Sequence, residues 1–298
     1  MAINKDLLYI NLKITEEKFI MKKRNLKIAC SMLILGSIFS GFVGCSSNNS
    51  GHAESGKISI SGSTSVGPLM EKIAEDYERD NNGITIEINQ VGSSAGIKDA
   101  KNKVSEIGMS SRELKEEEKK EVNGTVIAYD GIAIITNKNN PIKNLTMEQI
   151  KDIYTGKITN WNEIEGGNDN KIIVTAREDG SGTRDAFQEL IGFTSEELVE
   201  NAMISNGNGG LKVMVEGNEN AIAFVSFEYL DDSVNVVNVE GVEPKADSVR
   251  NGEYKISRPF LLVTREDGLT ENGQKLIDYI LSDEGQKKVI DSKLIPVK

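Results

Sequence analysis

The segment KIIVTAREDGSGTRDAFQEL, residues 171–190, decides the fold expected for this chain of 298 residues. It predicts a β-branched strand, a glycine-containing turn and a helix with an apolar face. The first turn of a helix carries N–H groups without an internal partner and the positive end of the helix dipole, so it attracts anions. Gly180 and Gly182 allow close backbone approach, and Arg177 and Arg184 add positive charge. The segment therefore indicates an oxyanion site, with an ordinary N-capped helix as the alternative.

Small hydroxyl residues also follow three other predicted strands. They lie in SGSTS at 61–65, GSS at 92–94 and SS at 110–111. The first run looks like the start of a nucleotide-binding phosphate loop, but Pro68 and Leu69 replace the residues that would hold phosphate and Mg²⁺, which argues against a nucleotide triphosphatase. Strand ends of an α/β sheet meet at one edge, so the pattern predicts an α/β fold that gathers ligand groups around a small polar anion.

The N-terminal part of the chain has the features of an export signal. Basic residues follow Met21, a second plausible start, and precede an apolar run at 28–43 that is short for a membrane span. Phe-Val-Gly before Cys45 resembles a bacterial lipobox, so we expect residues 1–44 to be removed as a signal peptide and Cys45 to carry lipid. Residues 45–56 then comprise the lipidated cysteine and a flexible tether. The expected location is the extracytoplasmic face of the cell membrane of a Gram-positive bacterium.

Composition limits what the exported part can bind. The whole chain has a formal net charge of −11; residues 1–44 hold seven Lys/Arg and three Asp/Glu, so the rest keeps 28 basic and 43 acidic residues, a net charge of −15. Such an acidic domain argues against binding of nucleic acid and against adsorption to anionic lipid. Of the two cysteines, Cys30 falls in the segment to be removed and Cys45 at the lipidation position, so we expect no disulfide and no cysteine metal site in the mature domain. An anion site in so acidic a chain must be made locally, from helix ends and placed arginines. We expect no cofactor and no metal.

A hydrolase is the main alternative class. Ser181 is a conceivable nucleophile, but Asp179 and Thr183 occupy the two glycine positions of a nucleophile elbow. The only histidine, His52, lies in the tether and leaves the folded part without that base, and no Asp and His cluster has the spacing of a metal-dependent phosphatase. The sequence therefore favours a binding protein over an enzyme.

Three further features concern packing and the site. Asp130 interrupts the apolar strand TVIAYDGIAIITN, 125–137, and marks either a bulge or a site residue. Trp161 is interpreted as a packing anchor. The Gly/Asn-rich segment 205–210 predicts a loop, followed by a helix at 211–216.

Several of these motifs together resemble one protein family. SGSTS, GSSAG, IGMSSREL, DIYTGKITNW, REDGSGTR and AIAFVSF are similar, in this order, to segments of the substrate-binding lipoproteins of high-affinity phosphate ABC transporters. The resemblance covers residues 57–298. It implies a two-lobed periplasmic binding protein of the type II-like α/β class, with a ligand cleft between the lobes and two hinge crossings. It also implies that phosphate is captured in the cleft and delivered to permease subunits that work with a cytoplasmic ATPase.

The resemblance implies a set of phosphate-binding residues. The family's ligands correspond here to Thr64, the backbone of Ser65, Ser93, Arg177, Ser181, Gly182 and Thr183. Asp179 matches an acid that orients the ligand arginine, Arg177. Arg112 and Arg184 either add charge at the rim of the cleft or form surface ion pairs.

The chain departs from the family at Ser111, where many members have an aspartate that accepts the proton of bound phosphate. Sulfate has no such proton, so a buried acceptor favours phosphate over sulfate. Ser111 is still expected in the site, but it can donate as well as accept and so discriminates less sharply. The hypothesis is that Asp130 takes over as the acceptor.

The resemblance also divides the chain. Lobe one combines residues 57–132 with 259–298, and lobe two is 133–258. The crossings between the lobes are expected near 130–136 and 257–262.

The residues alone leave other ligands and roles open. Hydroxyls and helix ends hold any tetrahedral oxyanion, so a receptor for sulfate or molybdate is one alternative. A surface sensor or adhesin with the same fold is another. The expected state is a monomer.

Overall fold

A computed structural model describes residues 56–298 of the chain. The predicted signal peptide, Cys45 and the tether up to residue 55 lie outside the described residues. Within the described part, no helix is long and apolar enough to cross a membrane.

The described chain has the predicted α/β fold, built on one curled sheet. The strands are β1 (Gly56–Gly62), β2 (Ile84–Gln90), β3 (Ile107–Ser110), β4 (Asn123–Asn137), β5 (Asn144–Leu145), β6 (Ile173–Arg177), β7 (Met203–Ser205), β8 (Ala221–Ser226), β9 (Val234–Val239) and β10 (Ser257–Thr264). Their order is β2-β1-β3-β10-β4-β8-β6-β7, with β9 beside β4 and β5. β1 is parallel to β2 and β3, whereas β10 is antiparallel to β3 and β4.

The helices form where apolar residues recur at helical spacing behind a starting signal. They are α1 (Gly67–Asp80), α2 (Ser93–Lys101), α3 (Met147–Tyr154), α4 (Gly182–Ile191), α5 (Gly207–Glu216), α6 (Ala246–Arg250), α7 (Glu271–Leu281) and α8 (Asp283–Asp291). Pro68 lies in the first turn of α1, where its missing N–H costs nothing. Thr146 and Gln149 cap α3 reciprocally, each side chain accepting from the backbone N–H of the other. A short 3₁₀ helix, Phe227–Tyr229, follows β8.

Of four apolar clusters in the described part of the chain, the two largest are called here the first and the second core. The first core is formed by β1, β2, β3, α1 and α7, with Ile58, Leu69 and Met109 at its centre. The second core is formed by the second half of β4, by β6 and β8, and by α3 and α4. Trp161 belongs to the second core, is 1% exposed and donates its Nε1–H to the carbonyl of Asn220 at 3.1 Å, so its interpretation as a packing anchor is confirmed.

Two neighbouring strands run from one core into the other. β4 contributes Ala128 to the first core and Ile132 to the second. The chain of β10 enters from Ile256 in the second core and continues to Phe260 in the first. The two strands are paired antiparallel where they pass, with Arg258 opposite Asp130.

A buried carboxylate bridges the two cores near this crossing. Glu228, in the 3₁₀ helix after β8, accepts at Oε1 from Nζ of Lys72 on α1 at 3.2 Å. Its side chain is 6% exposed, and Oε2 has no hydrogen-bond partner among the described residues. Burial raises the pKa of Glu228 to about 7, although the charge of Lys72 opposes the shift.

Ionisation of Glu228 should make stability depend on pH. The folded protein holds this proton more tightly than the unfolded chain, so the free energy of unfolding falls as the pH rises from the ordinary range of a glutamate to about 7. Glu228→Gln removes this loss, and the mutant should gain up to about 3 kcal/mol on the wild type between pH 5 and pH 8. Urea denaturation at the two pH values measures it. Glu75→Gln, at an exposed position on α1, is the control, and an equal response of both mutants would contradict the assignment.

Helix α2 lies directly on β1 because of one glycine. A Cβ at Gly96 would lie 2.4 Å from the Cα of Gly62 and 2.5 Å from the carbonyl oxygen of Ser61, both backbone atoms that cannot rotate away. The close contact places the start of α2 next to the end of β1.

Gly96→Ala should therefore destabilise the protein, even though alanine favours helices. We expect a loss of about 2–3 kcal/mol because the helix must move away from the strand. Urea denaturation measures it, with Gly209→Ala in α5 as the matched control, since a Cβ there meets nothing closer than 4.0 Å. A neutral Gly96→Ala would show that α2 does not depend on this contact.

Candidate anion-binding site

The site begins where β6 ends and α4 starts. The chain leaves Arg177, turns through Gly180 at a φ of 81°, and enters the helix after Ser181. The Oγ of Ser181 accepts from the N–H of Arg184 at 3.3 Å and caps the helix. The N–H groups of Gly182 and Thr183 precede the first intrahelical hydrogen bond, so this end of α4 offers donors and the positive end of a dipole.

A second helix N-terminus faces the first one. The N–H of Ser94, in the first turn of α2, donates to the carbonyl of Gly180 at 3.1 Å. A Cβ at Gly182 would lie 2.2 Å from Oγ of Ser93 and 2.9 Å from Oγ of Ser111, so only glycine allows this approach. The starts of α2 and α4 thus meet at one point.

Buried hydroxyls surround that meeting point. Ser63 donates to Oγ of Ser111 at 2.9 Å, and Ser111 lies 3.3 Å from Oγ of Ser93. On the other side, the hydroxyls of Ser65 and Thr183 are 2.7 Å apart. All five side chains are at most 2% exposed. The hydroxyl clusters predicted at strand ends therefore come together.

Arg177 supplies the guanidinium of the site. It is 1% exposed. Its Nη2 donates at 2.8 Å to Oγ1 of Thr64, which follows β1 of the first core. Glu178 holds the other edge, accepting from Nε at 2.7 Å and from Nη2 at 2.8 Å. Burial opposes ionisation of Glu178, but these hydrogen bonds outweigh it and lower its pKa. Glu178 thus fixes the orientation of Arg177.

The expected pairing of Asp179 with Arg177 is wrong. Oδ1 of Asp179 accepts from Nη1 of Arg184 at 2.6 Å, and its carboxylate is 92% exposed. Glu178 already occupies the free edge of Arg177, and Asp179, one residue further round the turn, reaches Arg184 in the first turn of α4 instead. Asp179 therefore orients Arg184.

Asp130 does not join the hydroxyls either. It is fully buried at the strand crossing, where Oδ2 accepts from Nη2 of Arg258 at 2.9 Å and Oδ1 accepts from Oγ of Ser226 and the N–H of Phe227. Burial raises the pKa of Asp130, while Arg258 opposes that shift. Three protein donors hold its oxygens at the crossing, and the expected role of Asp130 as proton acceptor for a ligand remains a prediction.

Asn208 is a site residue that sequence reasoning missed. Helix α5 starts at Gly207, so the segment predicted as a loop already forms helix here. The Oδ1 of Asn208 accepts from the N–H of Ser226 at 3.2 Å, which directs Nδ2 to Oγ of Ser65 at 2.8 Å. Its side chain is 0% exposed. The Asn-rich composition was the only signal, and it favoured a loop.

Arg112 is also held in ion pairs. Arg112 is 4% exposed and is held by both oxygens of Glu118 at 2.8 Å. Its Nε also donates to Asp185 on α4 at 3.0 Å, so this pair links the two cores. Among residues 56–298 no group of three or more His, Cys, Asp or Glu is placed to hold a metal ion.

Comparison with protein families gives one clear match. The model of a PBP superfamily domain matches residues 47–284. The phosphate-binding protein PstS of Bacillus subtilis is 32% identical over 82% of this chain and 81% of its own length. The PstS of Borreliella burgdorferi is 29% identical over 81% of this chain and 90% of its own.

Solved structures show the same similarity. A substrate-binding protein of Clostridium perfringens, assigned to a phosphate ABC transporter and solved with bound phosphate, is 60% identical with a TM-score of 0.80, over 82% of this chain and all of its own. An ABC-type phosphate transport receptor of Vibrio cholerae is 36% identical with a TM-score of 0.70, over 81% of this chain and all of its own.

Removing the charge of Asp130 should destabilise the fold. Asp130→Asn leaves the guanidinium of Arg258 buried without a counter-charge, and its Nε and Nη1 already lack partners among the described residues. We expect a loss of about 3–5 kcal/mol in the free energy of unfolding, measured by urea denaturation.

Asp179→Asn is the matched control, since it also removes one carboxylate from an Asp–Arg pair but at an exposed position. It should change stability much less. Equal losses in the free energy of unfolding would show that the buried Asp130–Arg258 pair stabilises the fold no more than an exposed pair does.

Proposed function

Since this chain belongs to the PBP superfamily and, within it, to the PstS-type phosphate-binding proteins, we propose that it captures inorganic phosphate outside the cytoplasm and delivers it to an ABC permease for import. The observation that carries the proposal is the meeting of two helix N-termini beside a buried guanidinium and a ring of hydroxyls. This arrangement presents donors on several sides and suits a small tetrahedral oxyanion. The names of the relatives favour phosphate over sulfate or molybdate.

The proposed phosphate-binding residues are those that surround the meeting point. They are Thr64, Ser65, Ser93, Ser111, Arg177, Ser181, Gly182 and Thr183. Arg177 donates from its guanidinium to Thr64 in this group, and Glu178 holds it in place before the ligand arrives. The backbone N–H groups at the start of α4 bind anionic oxygens without any side-chain entropy cost.

The proposed lobes are residues 57–132 with 259–298, and 133–258. This division is supported by the two cores and by the strands that cross between them. Contacts between the proposed lobes include Thr64 with Arg177 and Arg112 with Asp185. We assign the described arrangement to the closed state, and release of phosphate then requires these contacts to separate.

Binding without catalysis is the proposed activity. The hydroxyl of Ser181 caps α4, and residues 56–298 contain no histidine to act as a base. The relatives are named as binding proteins.

Attachment to the membrane is proposed from the sequence around Cys45. A lipid on this cysteine would keep the receptor near the permease and its cytoplasmic ATPase, and the relatives include proteins of Gram-positive bacteria. The proposed receptor is a monomer. Cys45→Ala should move the protein from the membrane fraction to the culture medium, and an unchanged membrane fraction would refute lipid anchoring.

Arg177 provides the direct test of phosphate binding. Arg177→Ala removes charge-assisted hydrogen bonds and leaves Glu178 unpaired, so phosphate affinity should fall at least about hundredfold. Isothermal titration of the purified protein with phosphate measures the loss. Arg79→Ala, which removes an exposed ion pair on α1, is the control and should bind as the wild type does. Absence of phosphate binding in the wild type would refute the proposed function.

A further inference from the structure

Phosphate recognition, if the proposed function holds, requires an acceptor as well as donors. Monohydrogen phosphate and sulfate are both tetrahedral dianions, but only phosphate has an O–H to donate. Three carboxylates of this region are held by arginines: Glu178 by Arg177, Asp185 by Arg112 and Asp130 by Arg258. The buried hydroxyls beside Gly182 can accept as well as donate, so they are candidates for the acceptor.

Ser63 fixes the direction of the first hydrogen bond. Its Oγ accepts from the N–H of Ser65 at 3.1 Å and from the N–H of Val66 at 3.3 Å. A hydroxyl oxygen has two lone pairs, so both are occupied and Ser63 can only donate to Ser111. Ser111 then retains one lone pair and its own proton.

Ser93 has the same hydrogen-bonding capacity left as Ser111. Its Oγ accepts from the N–H of Ser111 at 3.1 Å, so it also retains one lone pair and one proton. The contact of 3.3 Å between the two hydroxyls uses one proton and one lone pair, whichever residue donates. What remains for a ligand beside Gly182 is one acceptor and one donor.

We propose that Ser93 and Ser111 together select monohydrogen phosphate, by presenting one acceptor for its O–H and one donor for a neighbouring oxygen. The selection depends on hydrogen-bond direction, and no carboxylate repels sulfate. With sulfate, both hydroxyls turn outward as donors and only their mutual hydrogen bond is lost. Phosphate is therefore preferred by a moderate factor.

The hydroxyls of Ser65 and Thr183 have a similar count of protons and lone pairs, but their position differs. Nη1 of Arg177 lies 3.5 Å from Oγ1 of Thr183, and Asn208 donates to Ser65. Donors from a guanidinium and an amide attract the charged oxygens of the ligand. The protonated oxygen, which carries the least negative charge, is thereby directed to Ser93 and Ser111.

Four variants test the pair by the ratio of phosphate to sulfate affinity, measured by calorimetry at pH about 8. The wild type should prefer phosphate by about tenfold or more. Ser93→Ala and Ser111→Ala should each lose most of the preference, because a single hydroxyl can turn to accept from phosphate or to donate to sulfate, and no mutual hydrogen bond is left for sulfate to break. The double variant Ser93→Ala/Ser111→Ala should lose the preference too.

The matched control is the double variant Ser65→Ala/Thr183→Val, which should weaken both anions and keep the ratio. A preserved ratio in the Ser93/Ser111 double variant, or a ratio lost only in the control, would overturn the assignment. Equal binding of both anions by the wild type would also overturn it while leaving oxyanion binding intact. Binding of neither anion would refute the proposed function itself.

A second test uses only the wild-type protein, so it does not depend on whether a variant folds. Monofluorophosphate has the charge and shape of monohydrogen phosphate, but fluorine replaces the O–H. It should bind about tenfold more weakly than phosphate. Equal affinity for the two would show that the O–H is not recognised and would overturn the proposal.

Discussion

The opposition of two helix N-termini is the constraint on which the rest of this structure depends. The starts of α2 and α4 approach within one hydrogen bond, from Ser94 to Gly180, so two positive dipole ends face each other. This approach is unfavourable unless negative charge lies nearby. It is allowed sterically by Gly182 and by the contact of Gly96 with β1, neither of which leaves room for a side chain. The fold thus brings donors together at a point that suits an anion.

The charges around that point are balanced in pairs. Arg177 is held by Glu178, Arg258 by Asp130, and Arg184 by Asp179. Because each guanidinium has a carboxylate partner, the site has little excess positive charge and relies on directed hydrogen bonds. This agrees with the acidic composition of the chain, whose formal net charge is −11. Hydrogen-bond direction then becomes the feature that can distinguish one oxyanion from another.

Local pattern was sufficient to predict much of the fold and site. Strand, turn and helix were readable around 171–190, and the hydroxyls of Ser93 and Ser111 meet because strand ends gather at one sheet edge. The sequence could not show which of two adjacent acids pairs with Arg177, because only the conformation of the turn decides that Glu178, and not Asp179, reaches it. The partner of Asp130 lies 128 residues away, so no local pattern identifies it. Tertiary contacts also convert the Asn-rich segment at Asn208 into helix against its weak propensity.

The paired strands β4 and β10 have a mechanical consequence. They are hydrogen-bonded to each other from Ser257 opposite Gly131 to Thr264 opposite Asn123. The two connections therefore bend as a single ribbon and cannot slide independently. In the proposed two-lobed receptor, such a ribbon would favour rotation about one axis and would separate the two helix starts together, along with their contacts to a bound anion.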